Sequence, residues 1–375
     1  MGIFTLKTDK GRKFGLDILR ALAILFVVID HGTKLLPQEL KPISDFFVYD
    51  GVSIFFVLSG FLIGGILIKI LEDNETFSLG LLFNFWTRRW FRTLPNYFLI
   101  LLLLSVLNYL FTDGFKLWKI KKYLIFSQNL TNYHPSFFIE AWSLSVEEWF
   151  YLITPVFIFL IMRFLKMQPQ KAVLGVAISI VILITIFRYY KHLNINISNV
   201  HDWDLLFRKQ VFTRLDSLMY GVIGAYLHFY TFEKWVRFKK IFLVAGITMF
   251  LFAKFYSSDI NGAYFKVFSF SFISLATLFI LPFLSVLKLD GGIFYKPITY
   301  LSLISYSMYL LNLSVIQIWI IKKIHWENFI QSEFQISMLN YIIYWLLVIV
   351  LSILLYKYYE LPMMRLRDKK VKNEL

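Results

Sequence analysis

Ten stretches of about 20 mostly apolar residues recur along this chain, at about 16–35, 51–71, 95–112, 145–165, 172–190, 211–231, 239–257, 264–287, 299–321 and 337–358. Each is long enough to cross hydrocarbon as a helix, the form in which a single segment satisfies all its own backbone hydrogen bonds. The sequence therefore predicts an all-α fold, a polytopic membrane helical bundle of about ten transmembrane helices. Residues 1–375 are expected to form a single transmembrane domain with no fused soluble domain. Hydrophobic residues fill 58% of the 375 positions, more than a water-soluble core absorbs.

The net charge of +15 is scattered over short loops, so it reads as membrane orientation and not as nucleic-acid binding. With the termini inside, the inner segments hold 23 of the 39 Lys and Arg residues and the outer loops 14, which predicts that both termini are cytoplasmic. Lys7 to Lys13 precede an apolar core as in a signal peptide. Asp17 and Arg20 interrupt that core and no small-residue cleavage site follows Gly32, so a retained anchor is expected. The absence of cysteine excludes disulfides, thiolate metal sites and a cysteine nucleophile, and no metal is expected.

Ionisable groups inside such spans cost on the order of 3 kcal/mol, so they face a cavity or a partner. "LDILRALAILFVVIDHG" carries Arg20 and His31 eleven residues apart, which puts them on nearly the same helix face and about 16 Å apart along the axis. Asp17, one turn before Arg20, is its simplest partner. In "FWTRRWFRTLPNY", Arg89 and Arg92 share a face beside Trp86, Trp90 and Phe91 on the inner side, an arrangement that suits phosphates and a stacked purine as well as a plain positive anchor. "EAWSLSVEEWFYLITP" brings Trp142, Glu147 and Glu148 to the outer half, where a buried glutamate needs a partner such as His31 or Arg214. Arg214 and Asp216 in "FTRLDSLMYG" read equally as a structural ion pair or as substrate contacts. A ligand reaching from the arginines to His31 needs a phosphate end and a slender arm of about 15–20 Å. Coenzyme A has that form.

Other signals are weaker. "SGFLIGG", with Gly60 and Gly64 four apart, reads as a helix contact face. "KLWKIKKYLIF" interleaves basic and apolar residues as an interfacial segment does. "KHLNINISNVHDWDLLFRKQ" has polar and aromatic groups suited to a sugar, although a solvated loop is the simpler reading. No nucleophile elbow, Walker loop or His-Glu-x-x-His helix occurs. The His-x4-Asp pattern of glycerolipid acyltransferases fails because Leu36 stands where Asp is required.

The chain resembles the membrane-bound acyltransferase 3 family, whose bacterial members acylate sugars of O-antigen, exopolysaccharide, peptidoglycan or antibiotics. The resemblance rests on "LDILRALAILFVVIDHG", "GVSIFFVLSGFLIGG", "RRWFRTLPNY", "WSLSVEEWFYLITP", "TRLDSLMYGVIGA", "SYSMYLLNLSV" and "YYELPMMRLR" in that order. It implies catalytic roles for His31, Arg20 and Glu147, and acyl-CoA binding by Arg89, Arg92 and Arg20, with acetyl-CoA the default donor. Arg214, Asp216 and Trp142 are acceptor-side candidates. The implied acceptor is a carbohydrate or lipid-linked glycan, and the implied location is the bacterial inner (cytoplasmic) membrane. His31 is expected to act as general base, oriented by Glu147, or to carry the acyl group itself. Asn312 departs from the family, many of whose members have histidine there. Because the chain ends soon after its last span, relatives with a fused extracytoplasmic esterase-like domain are expected to be poor guides. A carbohydrate exporter or flippase without acyl transfer is the competing reading.

Overall fold

The computed structural model describes residues 12–74, 78–256, 259–289 and 291–366. Lys7, Lys10 and most of the basic tail, which contribute to the charge asymmetry, lie outside them. Among the described residues every regular element is helical. The long helices are α1 (Phe14–Gly32), α2 (Gly51–Glu72), α3 (Leu79–Phe111), α4 (Ala141–Leu165), α5 (Pro169–Asn194), α6 (Leu215–Tyr230), α7 (Lys239–Phe255), α8 (Ser269–Leu284), α9 (Tyr295–Leu311) and α10 (Glu333–Leu355). Side-chain caps begin several of them. Asp50 accepts from the Ser53 amide (3.2 Å) and hydroxyl (2.6 Å) at the start of α2, and Ser78 accepts from the Leu81 amide at the start of α3.

Among the described residues seven helical stretches are long and apolar enough to cross a membrane, and they contain α2, α3, α4, α5, α8, α9 and α10. α1 is interrupted by Asp17, Arg20 and Asp30, while α6 and α7, at 16 and 17 residues, fall short of the roughly 20 that a full span needs. α1 lies against α2, α8 and α9. α2 packs along α6, α6 touches α5 and α8, and α7 rests on α8. Over an apolar 18-residue window of the stretch containing α9, 78% of residues are buried, against 17% over the corresponding window of that containing α10, so the first is central and the second peripheral. Outward residues such as Leu102, Val106, Leu183, Val244 and Leu346 are exposed and apolar, the surface that lipid requires.

Two departures from the expected spans bear on the site. α3 starts at Leu79 and not near residue 95, and its 33 residues extend about 50 Å, more than the hydrocarbon thickness of about 30 Å. The turns bearing Arg88, Arg89 and Arg92 therefore need not enter hydrocarbon. Pro95 is accommodated inside this helix. Among the described residues four segments, Asp204–Arg208, Tyr264–Phe268, Asn312–Ile320 and Tyr356–Glu360, are π-helical, a register with no readable sequence period.

The glycines of "SGFLIGG" do form a contact face, and its partner is α6. A Cβ on Gly60 would lie 1.9 Å from the Leu218 carbonyl oxygen, and one on Gly221 would lie 2.1 Å from that of Val57, so the two backbones touch directly. Around Gly65 nothing lies within 4 Å of such an atom. Gly60→Leu is expected to force α2 and α6 apart and cost about 3 kcal/mol, whereas Gly65→Leu should be close to neutral. Thermal unfolding of the two purified variants in detergent measures the contrast.

Candidate active site

Around the C-terminal end of α1 the bundle holds a partly open chamber of about 1190 Å³. His31, at the C-terminal end of α1, lines it together with Asp30, Trp142, Trp203, Arg208 and Tyr309. The segment Lys191–Gln210, whose simplest reading is a solvated loop, instead supplies Trp203, Asp204, Arg208 and Lys209 to this wall. Arg208 stacks over Trp142 (5.3 Å) and pairs with Asp50 (3.2 Å) and Asp204 (3.1 Å). Burial opposes the Arg208 charge, but Asp50 and Asp204 outweigh it and hold the guanidinium more firmly protonated than in water. Asp30 is exposed to the chamber and has no hydrogen bond or ion pair among the described residues.

A scaffold on the central helix holds the histidine. The His31 Nδ1 lies 2.5 Å from Asn312 Oδ1, and Gln317 Nε2 donates to the His31 carbonyl (2.5 Å). Asn312 and Gln317 are five residues apart. In an α-helix that separation turns the side chains well apart, but the i→i+5 register of the segment after α9 brings them round to the same side. Glu140, just before α4, satisfies backbone groups of this segment. It accepts from the amides of Leu313 (3.1 Å) and Ser314 (2.7 Å) and from the Ser314 hydroxyl. Glu140 is 1% exposed, and burial pushes its carboxyl up to about 7 against the opposing effect of the Ser314 and Leu313 bonds. A second chamber histidine, His134, is engaged with the Phe138 carbonyl through Nε2 (2.9 Å), and burial pushes its imidazole down to about 4.

Toward the N-terminal end of α1 a smaller cavity of about 110 Å³ gathers Arg20, Arg89, Arg92, Glu147, Ser59 and Tyr151. Arg20 donates to Ser302 Oγ (3.2 Å) and lies 3.6 Å from Asp17, which also binds Arg12 and Ser302, so the expected Asp17 partner and a cavity position coexist. Arg92 has no hydrogen bond or ion-pair partner among the described residues. Trp86 and Trp90 stack beside the arginines (5.9 Å). Glu147 accepts from Ser59 (3.0 Å) and Tyr151 (3.0 Å), while Glu148 turns away to Thr93 (2.8 Å). The structure thus joins Glu147 to Arg20, Arg89 and Arg92. The orienting partner of His31 is Asn312, not Glu147.

The two spaces share Val52 and Tyr309 as walls. The Tyr309 hydroxyl is 2.7 Å from Ser143 Oγ and 3.1 Å from the Glu140 carbonyl, which closes the partition. Trp142 lines the larger chamber. Arg214 and Asp216 lie behind its wall and line neither space. Arg214 is sandwiched by Phe270 (4.3 Å) and Phe56 (5.4 Å) and donates to Ser53 (2.5 Å). Asp216 pairs with the fully buried Arg188 (2.7 Å). Sequence reasoning missed Glu140, Asp50, Arg208 and Tyr309. Asp50 carried a signal, the Asp-x-x-Ser start of α2, but Arg208 and Tyr309 had none.

This arrangement defines a polytopic helical membrane protein with two half-sites, one cationic and one bearing an imidazole, that meet inside the bundle. Residues 13–357 match the family model described as an acyltransferase domain, and the chain belongs to the acyltransferase 3 family. It is similar to peptidoglycan O-acetyltransferase OatA of Listeria monocytogenes, with 28% identity over 48% of this chain and 30% of the relative. A putative O-acetyltransferase of Staphylococcus aureus (strain COL) is 27% identical over 93% of this chain and 56% of its own length, as is O-acetyltransferase OatA of the same species. The chain spans about half the length of the Staphylococcus relatives, so the relatives it matches are longer proteins. No solved structure matches it.

Glu140→Ala leaves two backbone amides and a hydroxyl without their acceptor and is expected to cost about 3 kcal/mol, whereas Glu140→Gln keeps the two amide bonds through Oε1. The raised carboxyl of Glu140 has a definite linkage sign. Its stabilising contribution is complete below the unfolded value of 4.5 and is lost as pH rises through about 7. Thermal unfolding from pH 5 to 8 should therefore decline more steeply in the wild type than in Glu140→Gln.

Proposed function

We propose that this chain transfers an acyl group, acetyl by default, from acyl-CoA to a hydroxyl of a carbohydrate or lipid-linked glycan. In this reading it crosses the bacterial cytoplasmic membrane ten times with both termini in the cytoplasm, so that the arginine cavity opens inward and the histidine chamber outward. The observation that carries the proposal is the division of labour along α1: Arg20 lines the inner space, His31 lines the outer one, and the two spaces abut at Val52 and Tyr309. Family membership and the O-acetyltransferase names of the relatives support the same reaction class.

Arg89 and Arg92 hold the phosphates, with Trp86 and Trp90 offering a stacking surface to the adenine. The pantetheine arm passes Arg20 and Glu147 to the partition. In this reading Tyr309, hydrogen-bonded to Ser143 at the partition, lies between the thioester and the imidazole. In the chamber, the half-buried Trp203 offers an apolar ring to a sugar while Trp142 backs Arg208 in the wall, and the volume of about 1190 Å³ lies just above the roughly 300–1,000 Å³ of small-ligand sites, which fits an oligosaccharide. Arg214 and Asp216 act on the acceptor indirectly, by fixing Phe270 and Ser53 in and behind the chamber wall. His31 removes the acceptor proton as the oxygen attacks the thioester carbonyl, and the CoA thiol leaves.

Release of free CoA thiol by the purified protein, given acetyl-CoA and glycan acceptors, tests this reading. His31→Ala should lower release by about 10²-fold or more, and Arg92→Ala should raise the KM for acetyl-CoA about tenfold. Normal release by His31→Ala would overturn the assignment. Movement of unmodified glycan with no thiol release from any donor would establish the exporter instead.

A further inference from the structure

We infer that Asn312 is a positioning residue that holds His31 in the tautomer with its proton on Nδ1, leaving the Nε2 lone pair open to the outer chamber. The inference rests on the proposed role of His31 for its kinetic consequence, but not for its structural content.

The argument depends on which end of the Asn312 amide faces the ring, and the surroundings decide it. One terminal atom lies 2.9 Å from the Met308 carbonyl oxygen and 2.7 Å from that of Tyr309. Both are acceptors only, so this atom is the nitrogen, and its two hydrogens are used. The other terminal atom is then the oxygen, an acceptor only, and it sits 2.5 Å from His31 Nδ1. A neutral imidazole carries one N–H, and here it must be on Nδ1. Nε2 has no hydrogen-bond partner among the described residues. Gln317 fixes the His31 carbonyl, so the backbone behind the ring is also held. The whole clamp is built on the π-helical register of 312–320, which Glu140 supports.

For acyl transfer the consequence is direct. The acceptor oxygen bonds to the thioester carbon, its proton passes to Nε2, and the carbon–sulfur bond breaks. The sulfur then takes that proton back from the imidazolium, so the ring returns to the same tautomer. With the proton on Nε2 the first step has no base on the chamber side. The charged groups felt at the ring are Asp30 on α1 and Arg208 and Lys209 from the Lys191–Gln210 segment. Glu140, Tyr309, Lys34 and Lys322 line the same chamber.

Two variants and one spectroscopic measurement test the inference. Asn312→Leu keeps the volume and removes the acceptor, and kcat is expected to fall about tenfold with KM for acetyl-CoA unchanged. Asn312→His can accept from Nδ1–H with one nitrogen and donate to the Met308 or Tyr309 carbonyl with the other, so it should retain kcat at alkaline pH. It should also lose activity on acidification with a steeper slope than the wild type, because a protonated second imidazole no longer accepts. In the 15N spectrum of histidine-labelled protein, with His31 assigned by its loss in His31→Gln, Nδ1 should appear protonated and Nε2 unprotonated. Asn312→Leu should then show a mixture of tautomers. A protonated Nε2 in the wild type would overturn the inference, as would an unchanged spectrum and kcat in Asn312→Leu. The spectrum needs no reaction, so failure of acyl transfer itself, recognised by the absence of thiol release from the wild type, would leave that readout standing.

Discussion

The cost of an ionisable side chain at bilayer depth, on the order of 3 kcal/mol when nothing receives it, is the constraint from which the rest of this molecule follows. Two kinds of solution appear. Arg188 with Asp216, and Arg214 with Ser53 and two phenylalanine faces, are closed within the protein and stiffen the wall between helices. Arg20, Arg92 and His31 keep a face toward enclosed space. Charges of the second kind need a polar cavity, and the bundle provides one at each depth where they occur.

Much of this was legible in the residues, because helical periodicity reports a face. Arg20 and His31 fall on one side of α1 by arithmetic alone, and Gly60 and Gly64 announce a backbone contact. What periodicity does not report is which neighbour stands opposite at a given depth. Glu147 was matched to His31 on estimated depth, yet it lies two turns inside α4 with Ser59 and Tyr151, on the arginine side of Tyr309. The pairing of Arg208 with Asp50 joins residues 158 apart, and no local pattern encodes it.

The π-helical segment after α9 was the least readable element. Its residues are as apolar and continuous as those of the helix before it, and a change from four-residue to five-residue hydrogen bonding leaves no mark on composition. Nevertheless that change is what lets Asn312 and Gln317 hold one histidine together, and what leaves amides for Glu140 to receive. Asn312 thus has a defined hydrogen-bonding task, one that an imidazole with a single proton can also perform.

The seam between α2 and α6 carries a mechanical implication. Where peptide groups press on one another with no side chains between them, there are no rotamers to exchange and no play to take up, so these two helices move as a single plank. Val52 rides on that plank, while Tyr309 belongs to α9, whose neighbours touch it through ordinary side chains. Any widening that lets one space communicate with the other must come from the tyrosine's side, with the valine as the fixed jamb.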